Sequence, residues 1–396
     1  MKGIGERNNM EEWKEYKLKD IIQFNPLERI PKGTKCRKIG MDQLSPFCRY
    51  VYSNNYDLYK GGTKFRNGDT IMARITPCLE NGKTAYVSSL GDDEVAFGST
   101  EFIVMRKIEN VSDSKFIYYL SISPTIRDIA IKSMIGSSGR QRVQQDVLEN
   151  LKMKLPSSLD DQIRIANILS SLDDKIELNN RINANLEEQA QALFRRWFVD
   201  FEFPNEKGFP YKSNGGKFID SELGRIPEGW TVGNLSTIAN IVSGKRPLHK
   251  CNIKKGESII PIIGASSIMG YTTDMLYNEE ILIIGRVGTL GVVQRISGPC
   301  WTSDNTLVIK SLYKEYIYQL LNRIKYTNIN RGSTQPLITQ TDMKNTKIFI
   351  PDDKILYSFE KLVSQMFACC KENITQNVNI ARLRNTLLPK LMNNEI

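Results

Sequence analysis

The stretch "LNNRINANLEEQ", Leu178 to Gln189, decides how this chain is read. It lies in a helical pattern whose apolar residues recur in alternating steps of four and three. The stripe runs Ile165, Leu169, Leu172, Ile176, then Asn179 and Asn183, then Leu186, Ala190, Leu193 and Trp197. That spacing is the seam of a coiled coil. The same order returns near the C-terminus as Phe359, Val363, Met366, Cys370, Asn373, Asn377, Ile380, Arg384, Leu387 and Leu391. A buried amide is costly unless it faces another, so it penalises misregistered pairing. Asn179, Asn183, Asn373 and Asn377 are therefore read as register marks between two helices of one chain. The seam centre falls between the Asn layers, so parallel and antiparallel pairing both bring Asn against Asn. The pattern alone leaves direction open. Arg384 departs from the apolar stripe, and its head is expected to snorkel outward. Pro389 is expected to end or kink the second helix, leaving Leu391 beyond its regular part.

Outward from the seam, the whole chain is written twice. "WKEYKLKDII" from Trp13 pairs with "WTVGNLSTIA" from Trp230, and "IMARIT" from Ile71 pairs with "IIGRVG" from Ile283, setting Arg74 beside Arg286. "STEFIVMR" from Ser99 pairs with "SDNTLVIK" from Ser303, and "SSGRQRV" before Pro156 pairs with "GSTQPLI" before Pro351. A repeat this long indicates duplicated domains rather than a solenoid. In each copy, short β-branched runs broken by Gly and Asn turn signals precede helical stretches such as "SKFIYYLSISPTIRDIAIKSM" and "YKEYIYQLLNRI", which reads as α+β. Pro156 followed by "SSLDD", and Pro351 followed by Asp352 and Asp353, supply start signals for the long helices. The expected order is a mixed α/β domain over 11–156, a helical spacer over 157–200, a Gly- and Pro-rich connection over 201–228, a second mixed α/β domain over 229–351 and a second helical spacer over 352–396.

The 396 residues are long enough for more than one core, and 40% hydrophobic with 25% charged residues is ordinary for a globular protein. A net charge of +10 favours a polyanionic partner. Seven cysteines without a CxxC pair suit a reducing compartment better than a disulfide framework. No apolar run has the length of a membrane span, and "MKGIGERNNMEEWKEY" lacks a secretory h-region, so a cytoplasmic location without membrane is expected.

His249 is the only histidine, which removes His-based triads and His-rich metal sites; no catalytic residue and no metal ligand is assigned. "GRVGTLG", Gly285 to Gly291, lacks the Lys-Ser/Thr of a phosphate loop and is read as a hairpin. The residues suited to nucleic acid are Arg and Gln interleaved with turns in both copies. Arg74, Arg140, Gln141 and Arg142 in the first copy, and Arg286, Arg331 and Gln335 in the second, are the DNA-contact candidates. Gln144, Gln145 and Gln340 belong to the same loops, while Arg74 and Arg286, with Lys64, Arg66 and Lys83 nearby, are secondary to the loop residues. Arg pairs naturally with guanine and Gln with adenine in the major groove, whereas Lys mainly meets phosphate.

With the repeat and the seam, three strings resemble the specificity subunit of type I restriction-modification enzymes: "SELGRIPEGW" from Ser221, "ALFRRWFVDFEF" from Ala192, and the "GSSGRQRV"/"GSTQPLI" pair. The resemblance covers essentially the whole chain. It implies two target-recognition domains, each reading half of an interrupted double-stranded DNA sequence, and two helical regions packed antiparallel as a spacer. It also implies docking of methyltransferase subunits, two of them, on the helices, and of restriction subunits through the complex. S-adenosylmethionine, ATP and Mg would then belong to those partner chains, and this chain would be non-catalytic. The competing expectations are a coiled-coil scaffold without sequence-specific DNA readout, and a fused enzyme carrying its own methyltransferase.

Overall fold

The computed structural model describes residues 13–396. The leader-free reading of the N-terminus rests largely on residues outside that range. The chain divides into two compact units, one of residues up to Arg181 together with Asn373–Ile396, the other of Ile182–Glu372, so the division falls inside both long helices.

In the first unit, a four-stranded antiparallel sheet runs in the order Ile22–Phe24, Phe102–Lys107, Thr70–Ala73, Thr84–Tyr86. The central runs "TIMA" and "FIVM" are buried throughout, as their near-continuous apolar character requires. A second sheet orders Tyr56–Leu58, Lys35–Ile39, Ala96–Gly98 and Lys64–Phe65, with one parallel pairing between Lys35–Ile39 and Ala96–Gly98. Trp13–Lys17 closes the unit against Lys152–Pro156.

The second unit repeats this plan strand for strand. Asn240–Ser243, Thr306–Lys310, Ile281–Gly285 and Val293–Ile296 form the antiparallel sheet. Ile268–Thr272, Ile260–Ile263, Pro299–Thr302 and Tyr277–Asn278 form the other, again with one parallel pairing, and Thr231–Asn234 closes against Lys347–Ile350. The α+β duplication read from the sequence is thus a duplication of topology. "GRVGTLG" lies in the connection between two antiparallel strands, as a hairpin.

The stretch from Ser114 forms two helices, Ser114–Ile122 and Pro124–Lys132. Ser123 takes an extended conformation before Pro124 and caps the second with its hydroxyl.

The long helices are Leu159–Phe194, continued by a π-helical turn over Arg195–Val199, and Asp353–Met392. At 36 and 40 residues they measure about 54 and 60 Å along their axes. The Ser158 hydroxyl accepts the Asp161 amide, and the Asp352 carboxylate accepts the Lys354 amide, as the start signals required.

Within the first unit, Asn179 donates to Asn377 at 2.8 Å, and Arg384 donates to Asp173 at 2.5 Å. Ile165 and Leu169 share a core with Leu388, Leu391 and Met392. Later residues of the first helix therefore face earlier residues of the second, and the pairing is antiparallel. Parallel pairing would have set Asn179 against Asn373. Within the second unit the sense is the same, with Phe194 and Trp197 packed on Phe359 and the Cys370 thiol 3.9 Å from the Asn183 carbonyl.

Three expectations are corrected. Arg384 does not snorkel: it is 5% exposed, and its charge is met by Asp173, itself 3% exposed and held by the Tyr119 hydroxyl at 2.7 Å. The second helix continues through Pro389 to Met392, so Leu391 is inside it and buried. Pro389 removes one amide donor only three residues from the helix end, where little of the ladder remains to be broken. The 201–228 stretch is ordered as part of the second unit. Phe203 stacks on Tyr211 and on Trp230, Phe201 meets Trp230 and Phe218 edge-on, and Phe218–Ile219 pairs with Ile226–Pro227.

Candidate nucleic-acid interface

The Arg- and Gln-bearing loops hang on a backbone frame that both units repeat. In the first, the Arg74 amide donates to the Glu101 carbonyl at 2.9 Å, and the Arg74 carbonyl accepts the Val143 amide at 2.8 Å. In the second, Arg286 bonds Asn305 at 2.9 Å and accepts Ile338 at 2.8 Å. The Thr76 amide donates to Gln141, and the Gly288 amide donates to Pro336, both at 3.0 Å. Ile135 bonds Arg142 at 3.1 Å where Arg331 bonds Leu337 at 2.9 Å. The sequence pairing of Arg74 with Arg286, and of "GRQRV" with "TQPLI", is therefore a pairing of positions in space within each unit.

On this shared frame the side chains differ. Arg140 and its counterpart Gln335 are exposed, and neither side chain has a hydrogen-bond partner among the described residues. Gln141 is half-buried, and its backbone N–H donates to the Thr76 hydroxyl at 3.1 Å. Arg142 is held by Glu101: its Nε lies 3.0 and 2.9 Å from the two carboxylate oxygens and its Nη2 lies 2.6 Å from Oε1. The same carboxylate stands 3.8 Å from Arg74. These contacts, that of Arg142 first, hold the Glu101 carboxyl below its ordinary range. Arg74 and Arg286 are half-buried, and the Nε of each has no hydrogen-bond partner among the described residues.

In the second unit Leu337 stands at the place of Arg142, and the arginine comes from the facing arm of the loop instead. Arg331 donates from Nε at 2.9 Å and from Nη2 at 2.5 Å to Oδ1 of Asp342. The other oxygen of Asp342 accepts the Thr339 hydroxyl at 2.6 Å and the Thr339 amide at 3.1 Å, closing a capping box. Arg331, then Thr339, lower the Asp342 pKa. Asn330 ties the loop by accepting the Gly332 and Leu337 amides at 3.0 and 2.8 Å.

The remaining candidates are consumed by structure. Gln144 donates to the Ser133 carbonyl, Gln145 bonds Glu149 and Asn25, and Gln340 bridges Ser243 and Ile241. Lys64 and Arg66 are engaged by Glu28, and Lys83 by the Met41 carbonyl. His249 is a surface imidazole. Asn179, Asn377 and Asn373 belong to the helix seam, Asn179 fully buried and Asn373 8% exposed; Asn183 is half-buried on the same stripe.

Glu101 and Asp342 are the residues that sequence reasoning missed. The Thr339-x-x-Asp342 capping pattern was a readable signal for the second; the first had none. Among the described residues, no group of three or more His, Cys, Asp or Glu side chains could hold a metal ion, and no helix is long and apolar enough to cross a membrane. The arrangement presents hydrogen-bond donors and cationic charge on ordered loops, which is the equipment for binding a polyanion with base selectivity.

Comparison with known proteins places this frame. The family model described as the type I restriction modification DNA specificity domain matches residues 10–188 and 227–376. The HindI type I restriction enzyme specificity subunit of Haemophilus influenzae is 26% identical, covering 98% of this chain and 100% of its own. The MjaIX type I restriction enzyme specificity subunit of Methanocaldococcus jannaschii is 31% identical over 72% of this chain and 69% of its own. Among solved structures, the S subunit of a type I restriction-modification system from M. genitalium covers 98% of both chains with a TM-score of 0.57 at 16% identity, a likeness of fold.

Proposed function

The chain belongs to the type I restriction-modification DNA specificity family, and from that premise we propose that it reads an interrupted, bipartite DNA target and docks methyltransferase subunits along its long helices. The recognition regions are 11–156 and 229–351, one for each half-site, and the helical regions 157–200 and 352–396 set the gap between them. One observation carries this reading. The two units share one backbone frame but end it in different hydrogen-bonding groups: Arg140 against Gln335, Arg142 against Leu337, Glu101 against Asn305. Equal frames with unequal donors suit two different half-sites.

The net charge of +10 supplies the sequence-independent attraction to phosphate on which such reading is superimposed. Methyl transfer from S-adenosylmethionine, and ATP- and Mg-dependent steps, fall to two methyltransferase subunits and to restriction subunits in a cytoplasmic complex. This chain supplies address rather than chemistry.

The test is DNA binding by the chain in complex with its methyltransferase, measured across salt concentrations and many duplexes. Salt-sensitive binding with a preference of about a thousandfold or more for one interrupted sequence is expected. Salt-sensitive binding without preference would mean a scaffold instead. Methyl transfer by the purified chain alone, given DNA and S-adenosylmethionine, would overturn the non-catalytic assignment.

A further inference from the structure

In the loop pairing that both units repeat, each unit has one arginine gripped by a carboxylate along one edge only; Arg66, held likewise by Glu28, lies outside that pairing. Arg142 gives its Nε and Nη2 to Glu101, and Arg331 gives its Nε and Nη2 to Asp342. A guanidinium has five N–H donors in a rigid plane. A carboxylate occupying the Nε/Nη2 edge leaves the Nη1/Nη2 edge intact, with two parallel donors pointing away from it. Among the described residues, Nη1 of neither arginine has a partner, and the two side chains are 43% and 65% exposed. The grip also removes much of the rotamer freedom that a long side chain otherwise loses on binding.

The remaining fork matches the adjacent O6 and N7 acceptors of guanine in the major groove. Phosphate would accept the same fork, but a phosphate contact has no need of a preset orientation, and exposed lysines are available for it. The two arginines also come from opposite arms of the same small loop pairing, Arg142 from the arm that Leu337 occupies in the second unit and Arg331 from the arm that Ile135 occupies in the first. Within this pairing the donor edge is thus supplied once per unit, by a different residue each time, and each has its own carboxylate.

We propose that Arg142 and Arg331 each read one guanine, one per half-site, with Glu101 and Asp342 as positioning residues that aim them. This rests on the bipartite reading above.

The experiment uses the full chain in complex with its methyltransferase and a set of duplexes in which every base pair of the target is replaced in turn. Arg142→Ala and Arg142→Lys should each abolish the preference for a G·C pair at one position of one half-site, a preference of roughly 5- to 150-fold, and leave the other half-site unchanged. Arg331→Ala and Arg331→Lys should do the same in the other half-site. Glu101→Gln and Asp342→Asn should relax the same positions as their arginines, which a purely structural role would not do. Uniform weakening across all positions in the arginine variants, or unchanged discrimination, would overturn the guanine assignment while the bipartite reading stands. A wild-type complex with no bipartite preference would overturn both.

Discussion

Arg384→Met tests whether the long helices are pinned by charge at their seam. Asp173 and Arg384 meet at 2.5 Å with side chains 4% and 7% exposed, so neither ion is compensated by water. In the variant, Asp173 keeps the Tyr119 hydroxyl at 2.7 Å and loses its counter-ion. Breaking a buried pair from one side costs roughly 3–5 kcal/mol, because an uncompensated charge stays inside. For a unit of about 200 residues, each kcal/mol lowers the melting temperature by about 2–4 °C, which gives a fall of about 6–20 °C. Asp173→Asn alone should also destabilise, by stranding the guanidinium. Combining Asp173→Asn with Arg384→Met removes both charges and leaves an amide that still accepts the Tyr119 hydroxyl, so most of the loss should return. Calorimetry of the four proteins closes the cycle, with an expected coupling of about 3 kcal/mol or more. A single variant within about 1 kcal/mol of the parent, or a double variant no more stable than the worse single, would refute the reasoning.

Three further outcomes are expected. Asn179→Leu with Asn377→Leu should raise thermal stability, because a part-buried amide pair gives way to an apolar layer, yet loosen register, seen as additional crosslinked species when cysteines are placed along the seam; a single crosslinked species would count against the register role. Burial, reinforced by the neighbouring Glu315 charge, raises the Glu360 pKa to about 7, so its contribution to stability is full below the unfolded carboxyl value near 4.5 and is lost as pH rises through 7. Glu360→Gln should therefore gain stability over the parent in urea melts at pH 8 but not at pH 4, and equal gains at both would contradict the assignment. Phe359→Ala should cost about 3–5 kcal/mol, since its ring packs against Phe194, Trp197 and Phe198; a melting temperature within 2 °C of the parent would be inconsistent with that cluster.

The helical seam was legible because heptad packing is periodic and local, and the duplication was legible because framework residues recur in order. Helix direction was not, since the Asn layers lie evenly about the seam centre; contacts such as Asn179–Asn377 and Asp173–Arg384 distinguish the two senses. Arg384 was misjudged because its partner Asp173 stands one residue off the stripe on the other helix. The 201–228 stretch was read from its Gly and Pro content, which concealed the stacking of Phe203 between Tyr211 and Trp230. At the candidate interface, composition revealed the arginines and glutamines but not their fates. Gln144, Gln145 and Gln340 turned out to serve the fold, and Glu101 is 41 residues from the Arg142 it holds, beyond any local pattern.

The central claim, one half-site per unit with the helices setting the gap, is tested most directly by methylome sequencing of a host expressing the parent chain, or a variant with one heptad inserted into each long helix, together with its methyltransferase. The parent should yield a single methylated motif of two half-sites around a fixed gap, absent when the chain is deleted, and the variant should keep both half-sites with a longer gap. A contiguous motif, or an unaltered gap in the variant, would contradict the claim.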